Sequence, residues 1–273
     1  MSNEKLTRDQ QREAARAKAR AMRESQKKGE ARKKAILIAG SVIAGLAVIV
    51  TGFFVVQQLN KENEKANDVP STALVNGGIT VIKDLKVATS VSQIDKTVPT
   101  IVIYQDLQCP ACQAFEVPNM PQISQLVKDG KYNLEIHPIS FLDGASANEY
   151  SSRAGSALLC VADQEPEHFL DYNTALYAQQ PKENTVGPDN AALANLASSI
   201  GVKNQSTLDC IENADWATWS KNQTPGYKSI IPGTNLEFTG TPFVIVNGQH
   251  YQGELANAAM FLQWLQTVAP ASN

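Results

Sequence analysis

The sequence predicts an α/β protein with a mixed sheet, preceded by one transmembrane helix. Three observations in the 273 residues predict this fold class. An uncharged, mostly aliphatic run occupies residues 35–56. Apolar runs typical of strands lie before and after a helical stretch at about residues 146–222. A Cys-x-x-Cys motif stands at the start of a predicted helix between the early strands and that stretch.

The apolar run is long enough to cross a membrane. About 20 such residues span the hydrocarbon core as a helix. A cleavable signal peptide has an apolar region of only about 7–15 residues, followed by a small-x-small cleavage site. No such site occurs between Val55 and Asn60. We therefore expect an uncleaved anchor at residues 35–57, with the cleaved signal peptide as the alternative.

The charge distribution predicts the orientation of this anchor. Residues 1–34 contain 12 Lys and Arg against 5 Asp and Glu, a net charge of +7, although the whole chain carries −3. The positive-inside rule places this basic tail in the cytoplasm and residues 58–273 outside, as a single-pass protein of the cell membrane. Nucleic-acid binding is not expected, because the tail has no aromatic residues and adjoins the apolar run.

The chain after the anchor begins with a stalk and a first strand region, residues 58–95. It is polar up to residue 78, and Ile79–Leu85 is the first predicted strand. Thr100–Tyr104 is an unbroken apolar run, which predicts a fully buried strand. Asn133–Pro138 alternates between polar and apolar residues and is a third predicted strand.

A helix is predicted between the second and third strands. Pro110 suits its first position, where the missing N–H is not needed. It should run to about Val127 and bend near Pro118 and Pro121.

The helical stretch and the segments after it complete the pattern. One of its helices, at about Ala191–Ile200, should end at Gly201. The pattern then returns to strands at Phe243–Val246 and Gln249–Gln252, with Asn247-Gly248 as a two-residue hairpin turn. A closing helix is predicted at about Leu255–Val268.

Cys109 and Cys112 carry the chemistry that the sequence predicts. Both sulfurs lie on one turn, and a helix N-terminus stabilises a thiolate through exposed N–H groups and the helix dipole. This arrangement indicates thiol–disulfide exchange, which needs no cofactor. The alternatives are a structural disulfide and half of a zinc site. Zinc requires three or four ligands, and the sequence has no second Cys-x-x-Cys, so no metal is expected.

Cys160 and Cys210 form the second pair of cysteines. All four cysteines fall on the predicted outer side, where an even count indicates two disulfides. The Cys-x-x-Cys spacing assigns Cys109 to Cys112, which leaves Cys160 to pair with Cys210 as a structural bridge. Two free buried thiols are the alternative.

The element order, with a dithiol at a strand-to-helix turn, is that of thioredoxin. The segments Asp106–Cys112, Gly240–Phe243 and Val246–Gly248 resemble the DsbA-like thiol oxidoreductases, which carry a helical insertion in the thioredoxin fold. The resemblance covers about residues 96–268, with the insertion at about 146–222. It is typical of membrane-anchored members from actinobacterial envelopes.

This resemblance implies a role for each of the two cysteines and for a proline. Cys109 is implied to be the exposed nucleophile, and Cys112 the shielded sulfur that resolves mixed disulfides. Pro242 is implied to be a cis-proline that faces the dithiol, with a trans proline at a strand start as the alternative. Thr241 is implied to tune the potential and to contact substrate.

The resemblance also bears on three residues beside the cysteines. Pro110 and Ala111 lie between them, where the best-known oxidases have Pro-His, and this departure bears on the strength of oxidation. Asp106, three residues before Cys109, is a candidate proton relay. A carboxylate stabilised by the helix dipole is the alternative.

The function implied is an extracytoplasmic oxidase that introduces disulfides into unfolded or newly translocated proteins. Its expected partners are these cysteine-containing clients and a membrane reoxidase of the DsbB or vitamin K epoxide reductase type. A disulfide isomerase or reductase with the same site is the first alternative. A non-enzymatic binding module stabilised by two inert disulfides is the second.

Overall fold

The structure, a computed structural model, describes residues 69–75 and 77–270, together with Lys18, Arg20 and Met22. The predicted anchor at 35–57 lies outside the described residues, as do the stalk up to residue 68 and, apart from those three positions, the basic tail. Within the part that is described, no helix has the length and apolar character needed to cross a membrane.

The described chain contains seven strands and seven α-helices from residue 69 onward. The strands are β1 Ala73–Val75, β2 Gly78–Ile82, β3 Lys86–Val87, β4 Thr100–Gln105, β5 Asn133–Pro138, β6 Phe243–Val246 and β7 Gln249–His250. The helices are α1 Pro110–Lys128, α2 Tyr150–Gln164, α3 Phe169–Ala178, α4 Asn190–Ser199, α5 Gln205–Asn213, α6 Ala217–Asn222 and α7 Ala258–Val268.

One mixed sheet organises these elements in the order β1-β2-β5-β4-β6-β7, with β3 paired to β2. Strands β4 and β5 are parallel, and α1 is the crossover between them. The other pairs are antiparallel. Because parallel neighbours need a long connection, the central β4-α1-β5 unit fixes the position of α1 against the sheet.

The residues of β6 alternate between the two faces of the sheet. Val244 and Val246 belong to the main core with Phe115 of α1 and Phe261 of α7. Phe243 and Ile245 belong to a smaller core with Tyr104 and Phe238. The segment that carries Phe238 covers this second face. β6 is therefore buried on both sides, as its continuous apolar sequence indicates.

Helices α2 to α6 form a block between β5 and β6. Nearly all of α2 is buried, and it contacts α3, α5 and α6. A disulfide joins Cys160 of α2 to Cys210 of α5 across 50 residues of sequence. The structure thus confirms the predicted mixed α/β, thioredoxin-like fold with a helical region.

Two predicted boundaries near the start of the domain were wrong. The predicted strand Ile79–Leu85 ends at Ile82, because Asp84 and Leu85 have φ angles of 63° and 60°, which a strand does not accommodate. Ala73–Val75, assigned to the stalk, pairs with β2.

The predicted hairpin is present. Asn247 and Gly248 have φ angles of 49° and 72°, as a two-residue turn of this kind requires. The second strand is shorter than expected and ends at His250. Helix α1 continues through Pro118 and Pro121 to Lys128.

The Cys160–Cys210 disulfide should stabilise the helical block. Closing a loop of 50 residues contributes roughly 4 kcal/mol in the chain-entropy model, and about 2–4 kcal/mol in typical measurements. We expect the double variant Cys160→Ser/Cys210→Ser to lose about that much unfolding free energy in a denaturant titration. Thiol–disulfide exchange should remain measurable in it. Loss of all exchange at unchanged stability would instead place this pair in the electron path.

Candidate active site

The Cys-x-x-Cys motif lies where β4 ends and α1 begins. After Gln105 the chain turns through three residues, and the Cys109 N–H donates to the Asp106 carbonyl oxygen at 3.0 Å. Cys109 is the N-cap of α1, with an extended backbone, and Pro110 is the first residue of the helix. Both cysteines are free thiols in the structure and are largely buried, with 6% and 2% of their surface exposed. The expectation of an exposed Cys109 was therefore wrong, because the Thr241 segment lies against its sulfur.

The two thiols have opposite environments. A hydrogen bond from Cys112 is the largest influence on Cys109, and it lowers the pKa of the Cys109 thiol to about 6. Burial acts against this shift, while hydrogen bonds from the Thr241 side chain and from the N–H groups of Cys112 and Ala111 reinforce it. Burial raises the pKa of Cys112 well above its ordinary value, and the neighbouring Cys109 raises it further.

This asymmetry assigns different chemistry to the two sulfurs. At neutral pH Cys109 is mostly a thiolate, which is the form that attacks a disulfide. Cys112 stays protonated, and its sulfur accepts a hydrogen bond from the Asp106 N–H at 3.4 Å. The geometry therefore fits a nucleophile at Cys109 and a resolving thiol at Cys112.

The Thr241–Pro242 peptide bond is cis and faces the dithiol. Cys109 Sγ lies 3.4 Å from the Thr241 carbonyl oxygen, to which its protonated form donates, although the two residues are 132 positions apart. The sheet brings them together, because Tyr104 near the end of β4 is in register with Phe243 at the start of β6. Thr241 and Pro242 consequently lie beside the N-terminus of α1.

Pro110 and Ala111 occupy the first turn of α1 between the cysteines. Pro110 is exposed and Ala111 is half-buried. The contribution of Ala111 to the thiolate comes from its backbone N–H, since its methyl group has no donor. The side chain at position 111 therefore gives the Cys109 thiolate no further hydrogen bond.

Asp106 is fully buried and its carboxylate is already hydrogen-bonded on both oxygens. Oδ1 accepts from the Gln108 N–H at 2.8 Å and the Ser151 hydroxyl at 2.7 Å, and Oδ2 accepts from the Leu142 N–H at 2.7 Å. Burial nevertheless raises the pKa of Asp106 to about 6, with a smaller contribution from Cys109. This arrangement favours a structural role, in which the carboxylate ties the active-site turn to α2.

The helical block supplies contacts that the sequence did not predict. Gln180, just after α3, donates from Nε2 to the carbonyl oxygens of Leu107 and Cys109 at 3.1 and 3.0 Å. The Gln113 side chain donates to the Tyr177 carbonyl oxygen at 2.6 Å. These partners lie more than 60 residues apart, and no local spacing in the sequence connects them.

A zinc site at the dithiol would need further ligands. Among the described residues, the sole group of three possible ligand side chains is Glu165, Glu167 and His168. The Glu165 carboxylate already accepts hydrogen bonds from the Lys203 and Asn204 N–H groups at 3.0 Å each. The dithiol belongs to no such group, so the described residues offer it no third ligand.

Comparison with known proteins is consistent with this site. Residues 95–265 match a family model described as thioredoxin. The chain belongs to this thioredoxin family. The match includes the dithiol, the helical block and the cis-proline.

Two solved structures from Mycobacterium tuberculosis resemble the domain at 27% identity. The reduced disulfide bond oxidoreductase DsbG has a TM-score of 0.56, and the match covers 75% of this chain and 91% of that one. Reduced DsbA has a TM-score of 0.54, with 70% and 91% covered. MdbA from Actinomyces oris, a thiol-disulfide oxidoreductase, has the same fold at 22% identity, a TM-score of 0.56 and coverage of 76% and 94%.

The chain also resembles part of a curated protein kinase. The serine/threonine-protein kinase PknE of Mycobacterium tuberculosis H37Rv is 32% identical over 151 residues, which is 53% of this chain but 26% of the kinase. The chain thus spans about a quarter of that relative. The family match and the DsbG and DsbA structures identify this chain as a thiol–disulfide oxidoreductase of the DsbA type.

The Cys112 thiol should control the acidity of Cys109. We expect Cys112→Ala to raise the pKa of Cys109 from about 6, because the variant removes the hydrogen bond that lowers it most. The pH dependence of Cys109 alkylation by iodoacetamide measures this shift. Cys112→Ser keeps a donor and is the matched control, so its alkylation midpoint should stay closer to that of the unmodified protein. Equal midpoints in the Ala and Ser variants would contradict the assignment.

Proposed function

We propose that this chain is an extracytoplasmic oxidase that introduces disulfides into unfolded or newly translocated proteins. The stabilised Cys109 thiolate carries the proposal. A stabilised thiolate favours the reduced dithiol over its disulfide, so the oxidised protein passes its disulfide on to substrates. An inert disulfide of a binding module would have no such driving force.

The pKa of Cys109 sets how strongly the reduced form is stabilised. A thiol with a pKa of about 6 is mostly ionised at pH 7, which stabilises the reduced form by about 1.4 kcal/mol, or about 30 mV, relative to an unperturbed thiol. The pKa lies between those of thioredoxin, about 7, and DsbA, about 3.5. We therefore expect an oxidant weaker than DsbA. The effect is lost as the pH falls through 6, because Cys109 is then protonated in both folded and unfolded chains.

The reaction proceeds in two exchange steps. A substrate thiolate attacks Cys109 Sγ in the Cys109–Cys112 disulfide, and the electron pair of the broken S–S bond leaves on Cys112, which takes up a proton. A second substrate thiolate attacks the substrate sulfur of the mixed disulfide and releases Cys109 as a thiolate. The substrate has lost two electrons and the protein has gained them. A membrane reoxidase of the DsbB or vitamin K epoxide reductase type is the proposed electron acceptor.

The site also fits a disulfide isomerase or reductase. The DsbG and DsbA structures resemble this chain at the same 27% identity, so these matches do not favour one direction of exchange. Thr241 before the cis-proline resembles isomerases as well. The stabilised Cys109 thiolate favours the oxidase, because it makes the protein's reduced form more stable and so drives oxidation of the substrate.

The location proposed is the outer face of the cell membrane, with the basic tail in the cytoplasm. The Cys160–Cys210 disulfide supports an oxidising compartment, because structural disulfides are rare in the cytosol. The +7 tail beside the uncharged run at 35–56 supports the single-pass orientation.

As an oxidase weaker than DsbA, the protein should have a reduction potential above that of thioredoxin, about −270 mV, and below that of DsbA, about −120 mV. Equilibration of the protein with glutathione buffers measures the potential. The oxidised protein should also convert a reduced, unfolded client to its disulfide form, and Cys109→Ser should not. Rapid rearrangement of a scrambled client, without oxidation of a reduced one, would favour the isomerase. A dithiol that does not exchange with glutathione at all would support the inert module.

The orientation predicts the outcome of protease treatment. A protease added outside intact protoplasts should digest residues 58–273 and spare the basic tail, which the membrane protects. Epitope tags at the two ends report the fragments on a blot. Lysed protoplasts are the control, in which both tags should disappear. Recovery of a soluble mature protein that starts after residue 57 would contradict the anchor.

A further inference from the structure

Gln180 is a residue of the helical block whose side chain reaches the backbone of the nucleophile, and the exchange reaction described above gives it no part. It lies two residues after the end of α3, and its N–H donates to the Tyr177 carbonyl oxygen at 3.3 Å. Its side chain is half-buried. The end of α3 therefore fixes the base of this side chain.

The Gln180 amide binds two carbonyl groups of the active-site turn. Nε2 donates to the carbonyl oxygen of Leu107 at 3.1 Å and to that of Cys109 at 3.0 Å. The amide nitrogen carries two hydrogens, so each carbonyl has a donor of its own. The two carbonyls lie on either side of the Gln108–Cys109 peptide. A single side chain thus fixes the orientation of two peptide groups close to the nucleophile.

The Leu107 carbonyl depends on this donor. Within the described part of the chain, Gln180 is the sole hydrogen-bond donor to the Leu107 carbonyl oxygen, and Leu107 has only 1% of its surface exposed. A buried carbonyl without a partner is costly. Loss of the Gln180 amide would therefore favour a rearranged turn in which this carbonyl finds water or another donor.

The Cys109 carbonyl is important because a proline follows it. Pro110 has no N–H, so the carbonyl oxygen is the one group through which the Cys109–Pro110 peptide can form a hydrogen bond. It accepts from Gln180 and from the N–H of Gln113, the latter at 3.2 Å. These two donors hold the ψ angle of Cys109 at 118°. They thereby hold Cys109 Sγ in place against the first turn of α1.

The position of Sγ determines how well the thiolate is stabilised. The Cys112 thiol and the N–H groups of Cys112 and Ala111 donate to Cys109 Sγ and lower the pKa of the Cys109 thiol. Hydrogen bonds weaken steeply as their angles depart from linearity, so a small rotation of Cys109 would weaken all of these together. The Gln180 N–H also offsets part of the negative charge that the Cys109 carbonyl oxygen places near the thiolate.

We propose that Gln180 is a positioning residue for thiol–disulfide exchange, which holds the Cys109–Pro110 peptide so that the Cys109 thiolate stays on the donors of the first turn. The proposal rests on the oxidase function proposed above. A better stabilised thiolate favours the reduced dithiol, so the helical block contributes through this side chain to the oxidising strength of the protein. Gln180 acts on the sulfur through the backbone, since its amide hydrogens are both used by carbonyl oxygens.

The test compares the full-length unmodified protein with the variants Gln180→Met and Gln122→Met. Methionine keeps about the length of the glutamine side chain and removes both amide hydrogens. Gln122 is the matched control, because it is also half-buried and its Nε2 donates to a backbone carbonyl, that of Ala258, at 2.8 Å. This bond ties α1 to α7 well beyond the first turn of α1.

Two quantities are measured for each protein. Alkylation of reduced Cys109 by iodoacetamide as a function of pH gives the midpoint of thiolate formation, and equilibration with glutathione buffers gives the equilibrium constant between dithiol and disulfide. We expect Gln180→Met to change both equilibria about fivefold, the effect of one ordinary hydrogen bond. The midpoint should rise from about 6 by roughly 0.7 pH units, and the reduction potential should fall by about 20 mV. Gln122→Met should change either equilibrium less than about twofold.

Gln180→Ala also removes the donors and should give the same shifts, and it serves if the Met variant does not fold. If the Gln180 variants keep both equilibria within about twofold of the unmodified protein, even at lower stability, Gln180 only ties the helical block to the core and the proposal is wrong. Equal shifts in Gln122→Met would contradict it as well. If the unmodified protein does not exchange with glutathione, the proposed oxidase function fails, while the alkylation midpoints still test Gln180 by themselves.

Discussion

The register between β4 and β6 is the constraint on which the active site depends. Tyr104 pairs with Phe243, so the residue pair before Phe243 must lie at the same sheet edge as the turn after β4. A slip of one residue would move every side chain of β6 to the other face and displace the cis peptide from Cys109. Burial of β6 on both faces prevents such a slip, because Val244 and Phe243 fill different cores.

The helical block completes the site as well as covering the sheet. Its contacts reach the turn before Cys109 through Gln180 and reach α1 through Tyr177 and Asn173. The Tyr177 carbonyl oxygen accepts from Gln113, and Asn173 donates to the Glu116 carboxyl. Each contact is a hydrogen bond made by a side chain, so it depends on the orientation of that side chain. The position of α3 is therefore linked to the geometry of the dithiol, and a disturbance of the block should reach the cysteines without any contact to substrate.

The sequence was sufficient for the parts of this structure that local patterns determine. The hairpin at Asn247-Gly248 follows from the backbone preferences of these two residues, and the strand at β4 follows from its apolar run. The stop at Ile82 was missed, because Asp84 and Leu85 adopt positive φ angles for which their residue types give little signal. Gln180 was missed because its partners are 71 to 73 residues away.

The buried carboxyl of Glu116 in α1 and the Cys109 thiolate have opposite effects on the free energy of unfolding as the pH changes. The raised pKa of Glu116, about 8 against 4.5, means that its contribution to folding is lost as the pH rises towards 8. The lowered pKa of Cys109, about 6 against 9.0, means that its contribution grows over the range from 6 to 9. In the reduced protein the two effects oppose each other between pH 6 and 8. In the disulfide form Cys109 does not titrate. Between pH 6 and 9 the folding stability of the reduced form therefore rises relative to that of the disulfide form.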